Sequence, residues 1–285
     1  EPVDNVSNVV DDPLQQDLSK EEADTQVQAL LGQFSDIIVD ELPMNRLPPF
    51  RPVNHSIPLK DPSVASRPRV IPVPDKYRAQ WTRHVNKFVE SGFWSPEALE
   101  SACSIFSVPK SDRKEARFVV NLKPRNTNTV KMHTPLPDMR AIRVTVAAHP
   151  YRSKLDFKNA YEQVRVVEEH VIHNGIATPN GTFASKVMLQ GDTNAPDTMH
   201  RVCFMMFRRY LGRCLEGFYN DWFVYLRTCR AHLHYLKMIF TTLRHYRFYL
   251  SRNKVHCLAE RLEVLGAVVD VDGMSVDPEK QARIE

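Results

Sequence analysis

The sequence has no apolar run of the roughly 18–20 residues that a membrane-spanning helix needs, which excludes an integral helical membrane protein. Its N-terminus is acidic and lacks the apolar core of a signal peptide, so nothing in it argues for secretion. Cysteine is scarce. Cys103, Cys203, Cys214, Cys229 and Cys257 are odd in number and widely spaced, with no CxxC pair and no Cys/His set at zinc-ligand spacing. Buried, reduced thiols in an intracellular setting are the plain reading. Internal repeats are lacking as well. Position 1 is glutamate rather than methionine, so the sequence is expected to be a fragment or a processed piece.

What is present is an ordinary globular composition: 285 residues, 42% hydrophobic and 25% charged, enough for one large or two modest domains. The net charge of +4 hides an asymmetry. Residues 1–45 hold eleven acidic residues and one lysine, Lys20, whereas the remainder carries 37 basic against 23 acidic residues. A basic body behind an acidic leader points to a polyanion partner such as nucleic acid, and no stretch in it specifies a base sequence.

Residues 1–42 read as an acidic leader, disordered to about residue 20 and then a short amphipathic helix within 21–41. Nine of the twenty prolines fall between Pro43 and Pro74. That density forbids long helices and interior strands, leaving an extended segment that is either a linker or a packed arm. From residue 75 to 285 the pattern is mixed α+β. Trp81, Val85, Phe88 and Val89 mark an amphipathic helix ended by Gly92. Strands are expected at SIFSVPK and, after the basic turn SDRKEA, at RFVVNLK. A further strand, KLDF, leads into NAYEQVRVV, and a Pro-Asn-Gly turn at 179–181 precedes FASKVML. A helix is expected from about Pro196 to Leu211, a hairpin at FYNDWFVYL, a helix at 231–249, and a final hairpin in LEVLGAVVDVDGMSV turning at Asp272-Gly273.

Two acids sit where acids are costly. Asp156 lies in a segment that otherwise reads as a buried strand, and Asp221 is surrounded by aromatics. A buried carboxylate without a partner costs several kcal/mol, so each calls for a metal, a cation or water. Each could equally end a strand, solvated or paired with arginine. The pair becomes informative if their two strands are neighbours.

From about residue 75 the chain resembles the fingers and palm of reverse transcriptases of the Ty3/Gypsy class of long-terminal-repeat retrotransposons, especially the fungal type. The resemblance is carried in collinear order by VPKSDRKEARFVVNLKPRNTNT, Thr-Pro-Leu-Pro at 134–137, SKLDFKNAYEQVRV, ATPNGTF, QGDTNAP, TTLRHYRFYLSRNKV, LEVLGAVV and VDPEK. The segment FRPVNHSIPLKD is similar to the stretch that precedes the fingers in that family. The implied fold is α+β: right-hand polymerase fingers and palm, an antiparallel palm sheet backed by helices, and an extended proline-rich N-terminal arm.

The resemblance implies an RNA-directed DNA polymerase, in which a primer 3′-hydroxyl attacks an α-phosphate while two divalent metals clamp the attacking and leaving oxygens. Two Mg²⁺ are expected for an active copy, with Mn²⁺ as a substitute. By resemblance Asp156 and Asp221 are metal ligands, and Asp156, Asn220 and Asp221 stand at the catalytic positions. Lys110 and Arg117 match finger residues that neutralise the triphosphate, with a solvated surface as the other reading of both. Tyr161 matches the aromatic that excludes a ribose 2′-hydroxyl, or is a core tyrosine. Gln190 matches a glutamine near the nucleotide 3′-hydroxyl. Leu265 and Gly266 match the hairpin that holds the primer end, although a plain hairpin explains them equally well.

The implied partners are an RNA template, a DNA primer, the RNA/DNA hybrid and dNTPs, with no membrane. The RNase H and integrase segments of a polyprotein are missing from this sequence. The expected setting is intracellular, in a cytoplasmic virus-like particle or the nucleus.

The family's Tyr-x-Asp-Asp box is absent. Counting without gaps places it at Phe218-Tyr219-Asn220-Asp221, so that Asn220 replaces the first aspartate. A rival register reads Tyr219-Asn220-Asp221-Trp222 and puts an indole where a ligand belongs. Either register leaves two carboxylates in place of three, and Asn220 offers a carbonyl oxygen without charge. Polymerase activity is therefore expected to be impaired. His173-Asn174-Gly175-Ile176 and Asn121-Leu122-Lys123 also depart from the family pattern. The alternative is a non-catalytic module that binds RNA or a hybrid duplex, retained by a host or decaying.

Overall fold

A computed structural model describes residues 17–111 and 114–276. In chain order its helices are α1 (Lys20–Gln33), α2 (Arg78–Glu90), α3 (Lys123–Asn128), α4 (Met139–Ala147), α5 (Ala195–Phe207) and α6 (Cys229–His245). Its strands are β1 (Ile38–Val39), β2 (Trp94–Pro96), β3 (Cys103–Pro109), β4 (Ala116–Val120), β5 (Tyr151–Asp156), β6 (Gly175–Thr178) and β7 (Gly181–Ser185). They continue with β8 (Leu215–Phe218), β9 (Asp221–Leu226), β10 (Leu250–Ser251), β11 (Leu262–Val264), β12 (Ala267–Asp270) and β13 (Gly273–Val276). The chain divides into two compact units that do not follow sequence order. One takes the described residues up to Glu41, Pro135–Lys158 and the described residues from Met206, and the other takes the described residues of Leu42–Thr134 and Asn159–Met205.

The first unit is built on an antiparallel three-stranded sheet in the order β5-β9-β8. Strand β9 is buried along Trp222, Phe223, Val224 and Tyr225, so both of its faces need cover. Helix α6 supplies part of it through Leu233, Leu236, Ile239, Phe240 and Leu243, spaced three and four apart along one side. Ile142 and Val146 of α4 meet Phe223, Tyr225, Leu262, Val264 and Val269 in a second core cluster. Gly217 is required where it stands, because a Cβ there would come within 2.3 Å of the Trp222 ring.

The leader helix belongs to this unit. A Ser19–Glu22 capping box starts α1, and β1 pairs in parallel with β10. The helix is shorter than the span 21–41 suggests, because Phe34, Ile37 and Ile38 leave helical geometry and bury their side chains. The expected disorder of the first twenty residues falls almost wholly outside the described residues, as does most of VDPEK.

The second unit holds a five-stranded sheet, β2-β7-β6-β3-β4, in which β3 and β6 run parallel and the other neighbours antiparallel. Helix α2 brings Trp81 and Phe88 into an aromatic cluster with His84, Trp94 and Phe118. Gly175 opens β6 where a Cβ would lie 2.4 Å from the Ser101 carbonyl oxygen. The proline-rich stretch forms no helix or regular strand, yet it is a packed arm and no free linker. Ile57 and His55 are fully buried, Arg51 is nearly so, and isolated bridges join His55 to Val166 and Leu59 to Thr129.

Several element boundaries differ from the sequence reading. Strand RFVVNLK stops at Val120, because Pro124 in the first turn of α3 favours a helix from Lys123. Helix α5 stops at Phe207, where the chain tightens until the Arg213, Cys214 and Leu215 amides converge on the Tyr210 carbonyl. Helix α6 starts earlier, capped by Thr228, and ends before left-handed Arg247. The closing hairpin is a three-stranded meander that turns first at Leu265-Gly266 and again before Gly273. The turn SDRKEA includes residues 112 and 113, which lie outside the described residues.

Candidate active site

Antiparallel pairing of β5 with β9 sets Asp156 directly opposite Asp221. The neighbour relation on which the two-acid reading depended is therefore present. Lys154 stands two residues before Asp156, and the period of two in a strand sends both side chains to one face. Its Nζ lies 3.0 Å from Asp221 Oδ1 and 3.8 Å from Glu263 Oε2. Lys254 Nζ lies 3.3 Å from each Asp156 carboxylate oxygen. Both partners are thus lysines, where sequence reasoning had considered arginine. Burial pushes the Asp156 carboxyl above its ordinary value; Lys254 opposes that shift and Asp221 adds to it. These side chains, with His256 and Arg261, line a cavity of about 440 Å³.

The β8–β9 hairpin closes with Phe218 paired to Asp221, leaving Tyr219 and Asn220 as a two-residue turn. Tyr219 takes a left-handed φ of 54°. Asn220 Oδ1 is buried and finds no hydrogen-bond partner among the described residues. Trp222 is 2% exposed, packs its ring tilted against Phe207 with centroids 5.0 Å apart, and donates its indole N–H to the Tyr219 carbonyl.

A pair of divalent ions carries four positive charges and favours bridging carboxylates. Here the two carboxylates are each already ion-paired to a lysine. Among the described residues no group of three or more His, Cys, Asp and Glu could hold a metal ion.

In the same unit, Leu265 and Gly266 form the left-handed turn between β11 and β12, with φ of 49° and 82°. Arg143 of α4 donates to the Leu265 carbonyl from Nε at 3.1 Å and Nη2 at 2.6 Å. The remaining candidates lie in the second unit. Arg117 is exposed on β4 opposite Val108, and Lys110 closes the β3–β4 hairpin by an ion pair to Glu115. Tyr161 is half-buried in a 3₁₀ turn, Ala160–Gln163, entered through left-handed Asn159. Gln190 is exposed in the loop between β7 and α5.

Sequence reasoning missed Lys154, Lys254 and a buried group in the second unit formed by Arg125, Asp192, His55 and Asn174. The signal for the lysines was present, two residues from Asp156 and inside RNKV. The buried group had none, since Asp192 sits in a run that reads as a polar loop.

The first unit thus carries an opposed Asp pair on an antiparallel hairpin sheet. The family model for reverse transcriptase (RNA-dependent DNA polymerase) matches residues 108–269, and the chain belongs to that family. Among curated relatives, the retrovirus-related Pol polyprotein from transposon opus of Drosophila melanogaster is 26% identical over 258 residues, 88% of this chain and 25% of its own length. The transposon Tf2-3 polyprotein of Schizosaccharomyces pombe is 24% identical over 95% of this chain and 19% of its own. The chain therefore spans about a quarter or less of these relatives.

Among solved structures, the foamy viral protease-reverse transcriptase in complex with dsDNA superposes with a TM-score of 0.81 at 16% identity, over 94% of this chain and 55% of that one. The same enzyme with an RNA/DNA hybrid gives 0.78 at 17% identity, covering 94% and 35%. The fold is that of the reverse transcriptase polymerase domain, as the sequence resemblance implied.

Proposed function

We propose that this chain is the template-primer-holding part of a retrotransposon RNA-directed DNA polymerase whose nucleotidyl transfer is impaired. One observation carries the reading. Asp156 and Asp221 face each other across β5 and β9, while the turn position before Asp221 is Asn220, whose buried Oδ1 finds no hydrogen-bond partner among the described residues. An aspartate at that position would add the missing charge and a bridging oxygen; an asparagine adds neither. The two-residue turn and the sealed Trp222 support the register Phe218–Asp221, since a carboxylate at 222 would enter the core.

In this reading Arg117 and Lys110 meet the triphosphate, Tyr161 and Gln190 meet the sugar, and the Leu265-Gly266 turn meets the primer end. Template, primer and hybrid are the partners. Lys154 and Lys254 favour a second reading, a module that binds RNA or hybrid duplex without catalysis. They neutralise the carboxylate pair, so the site no longer repels phosphate.

Primer extension on poly(rA)/oligo(dT) with Mg²⁺ and then Mn²⁺ tests both readings, comparing the native chain with Asn220→Asp and Trp222→Asp. The native chain is expected to extend weakly or not at all, and Asn220→Asp to gain by tenfold or more, the scale of one transition-state contact. Trp222→Asp buries an unpaired acid and is expected to melt lower without gaining activity. Robust extension by the native chain would overturn the impairment. Salt-dependent hybrid binding by a chain that Asn220→Asp does not revive would favour the second reading.

A further inference from the structure

The second unit contains three charged or titratable side chains sealed together. Arg125, Asp192 and His55 have side chains 5%, 1% and 0% exposed. Arg125 Nη2 donates to Asp192 Oδ2, and Arg125 Nη1 donates to Asn174 Oδ1. His55 Nε2 lies 3.0 Å from the same Asp192 oxygen, and its Nδ1 is 2.9 Å from Thr198 Oγ1. Burial alone would raise the Asp192 carboxyl, but His55 and Arg125 hold it below its ordinary value. The acid is therefore an anion held by two partners from distant parts of the chain, one of them in the proline-rich arm.

These contacts clamp a short loop. Asp192 Oδ1 accepts from the Asn194 amide at 3.0 Å. Asn126 of α3 reaches the same loop twice, donating to the Gly191 carbonyl at 2.8 Å and accepting from the Thr193 amide at 3.0 Å. Asn194 in turn bridges the Val130 carbonyl and the Met132 amide. Residues 191–194 are thus fixed at nearly every polar atom named, while Gln190, which begins the loop, points no buried group into the fold and is exposed. Burying an ion group is a poor way to gain stability, because apolar side chains of similar volume do as well or better. It is an effective way to fix geometry, since the donors and acceptors admit one arrangement.

We propose that the Arg125–Asp192–His55 cluster is a positioning device for Gln190, setting its amide where it meets the sugar end of a nucleotide or primer. The inference rests on the proposed role of Gln190 in template-primer recognition. It adds that the arm, through His55, and α3, through Arg125 and Asn126, determine that contact. Asp192 and Arg125 are positioning residues and touch no substrate.

The test uses the full chain, a fluorescein-labelled RNA/DNA hybrid with a recessed primer end, and thermal melts alongside. Gln190→Ala should weaken hybrid binding about fivefold, the scale of one net hydrogen bond, with an unchanged melt. Asp192→Asn should lower the melt and weaken binding, because it leaves the Arg125 guanidinium buried without its anion. The double variant Arg125→Leu/Asp192→Leu should recover the melt, yet bind as weakly as Gln190→Ala. Adding Gln190→Ala to that double variant should then change nothing further.

A double variant that binds like the native chain, or a full additional loss on adding Gln190→Ala, overturns the proposal. If the native chain binds no hybrid, the functional reading fails on its own. The positioning claim is then decided by amide hydrogen exchange at residues 190–194: faster exchange in the double variant at an unchanged melt sustains it, and native-like exchange overturns it.

Discussion

Asp156 and Asp192 are both acids set against basic side chains, one beside Lys254 in an open cavity and one sealed with Arg125 and His55. The partners differ most in exposure: the Lys254 side chain is 63% exposed, against 5% for Arg125 and 0% for His55. Burial acts on both carboxyls in the same direction, yet they shift oppositely. At Asp156 burial prevails and the carboxyl rises, because its lysine keeps most of its hydration and is screened. At Asp192 the partners, the Arg125 guanidinium and the His55 imidazole, are as dry as the acid, their attraction is little screened, and the carboxyl falls. A carboxylate held low and sealed is an architectural element. One held high beside a cavity owes its shift to burial that a screened lysine does not offset.

The sharpest way to break this comparison is to neutralise each acid without changing its shape. Asp192→Asn leaves Arg125 and His55 without their anion inside the unit, a loss of about 3–5 kcal/mol for a broken buried ion group. Asp156→Asn leaves only a half-solvated lysine behind, and the change should stay within about 1 kcal/mol. Paired melts check this. Equal losses would show that Asp192 is no better sealed than the cavity acid.

How far the sequence revealed these two places follows from the kind of signal each gives. Asp156 was legible because one acid interrupts an apolar strand, and Asp221 because it sits among aromatics. Their direct opposition depends on the pairing register of β5 and β9, which single strands do not display. The helices around Trp81 and Leu236 were legible through their 3.6-residue period. The ends of α5 and of RFVVNLK were not, since the Tyr210 carbonyl and Pro124 act on backbone geometry without altering the apolar pattern. The Arg125–Asp192–His55 cluster joins residues 55, 125 and 192, each of which locally resembles loop polarity. Only the fold brings them to one point.

The opposite shifts predict opposite responses to acid. Asp192 has a folded value below its ordinary 3.8, so its contribution is full above that value and is lost as the pH falls through the folded one. Asp156 has a folded value above 3.8, so its contribution is full below 3.8 and is lost as the pH rises through the folded one. Melts between pH 3 and pH 7 should therefore separate the variants. Asp156→Asn should improve relative to the native chain toward neutral pH. Asp192→Asn should come closest to native stability at the acid end. If both variants track the native curve with a constant offset, the assigned shifts are wrong.

The smallest effect expected comes from removing a lysine. Lys254→Met leaves Asp156 with one fewer opposing charge, so its carboxyl should rise further while the melt changes by no more than about 1 kcal/mol, as for exposed pairs generally. The informative quantity is the coupling in a cycle of Lys254→Met with Asp156→Asn. A value of about 0.2–1 kcal/mol fits a screened pair at a cavity wall. A coupling several times larger would mean that the cavity excludes water as thoroughly as the Asp192 cluster does. In that case Lys254 would hold Asp156 too firmly for an incoming ligand to displace it, and the comparison between an open and a sealed acid would collapse.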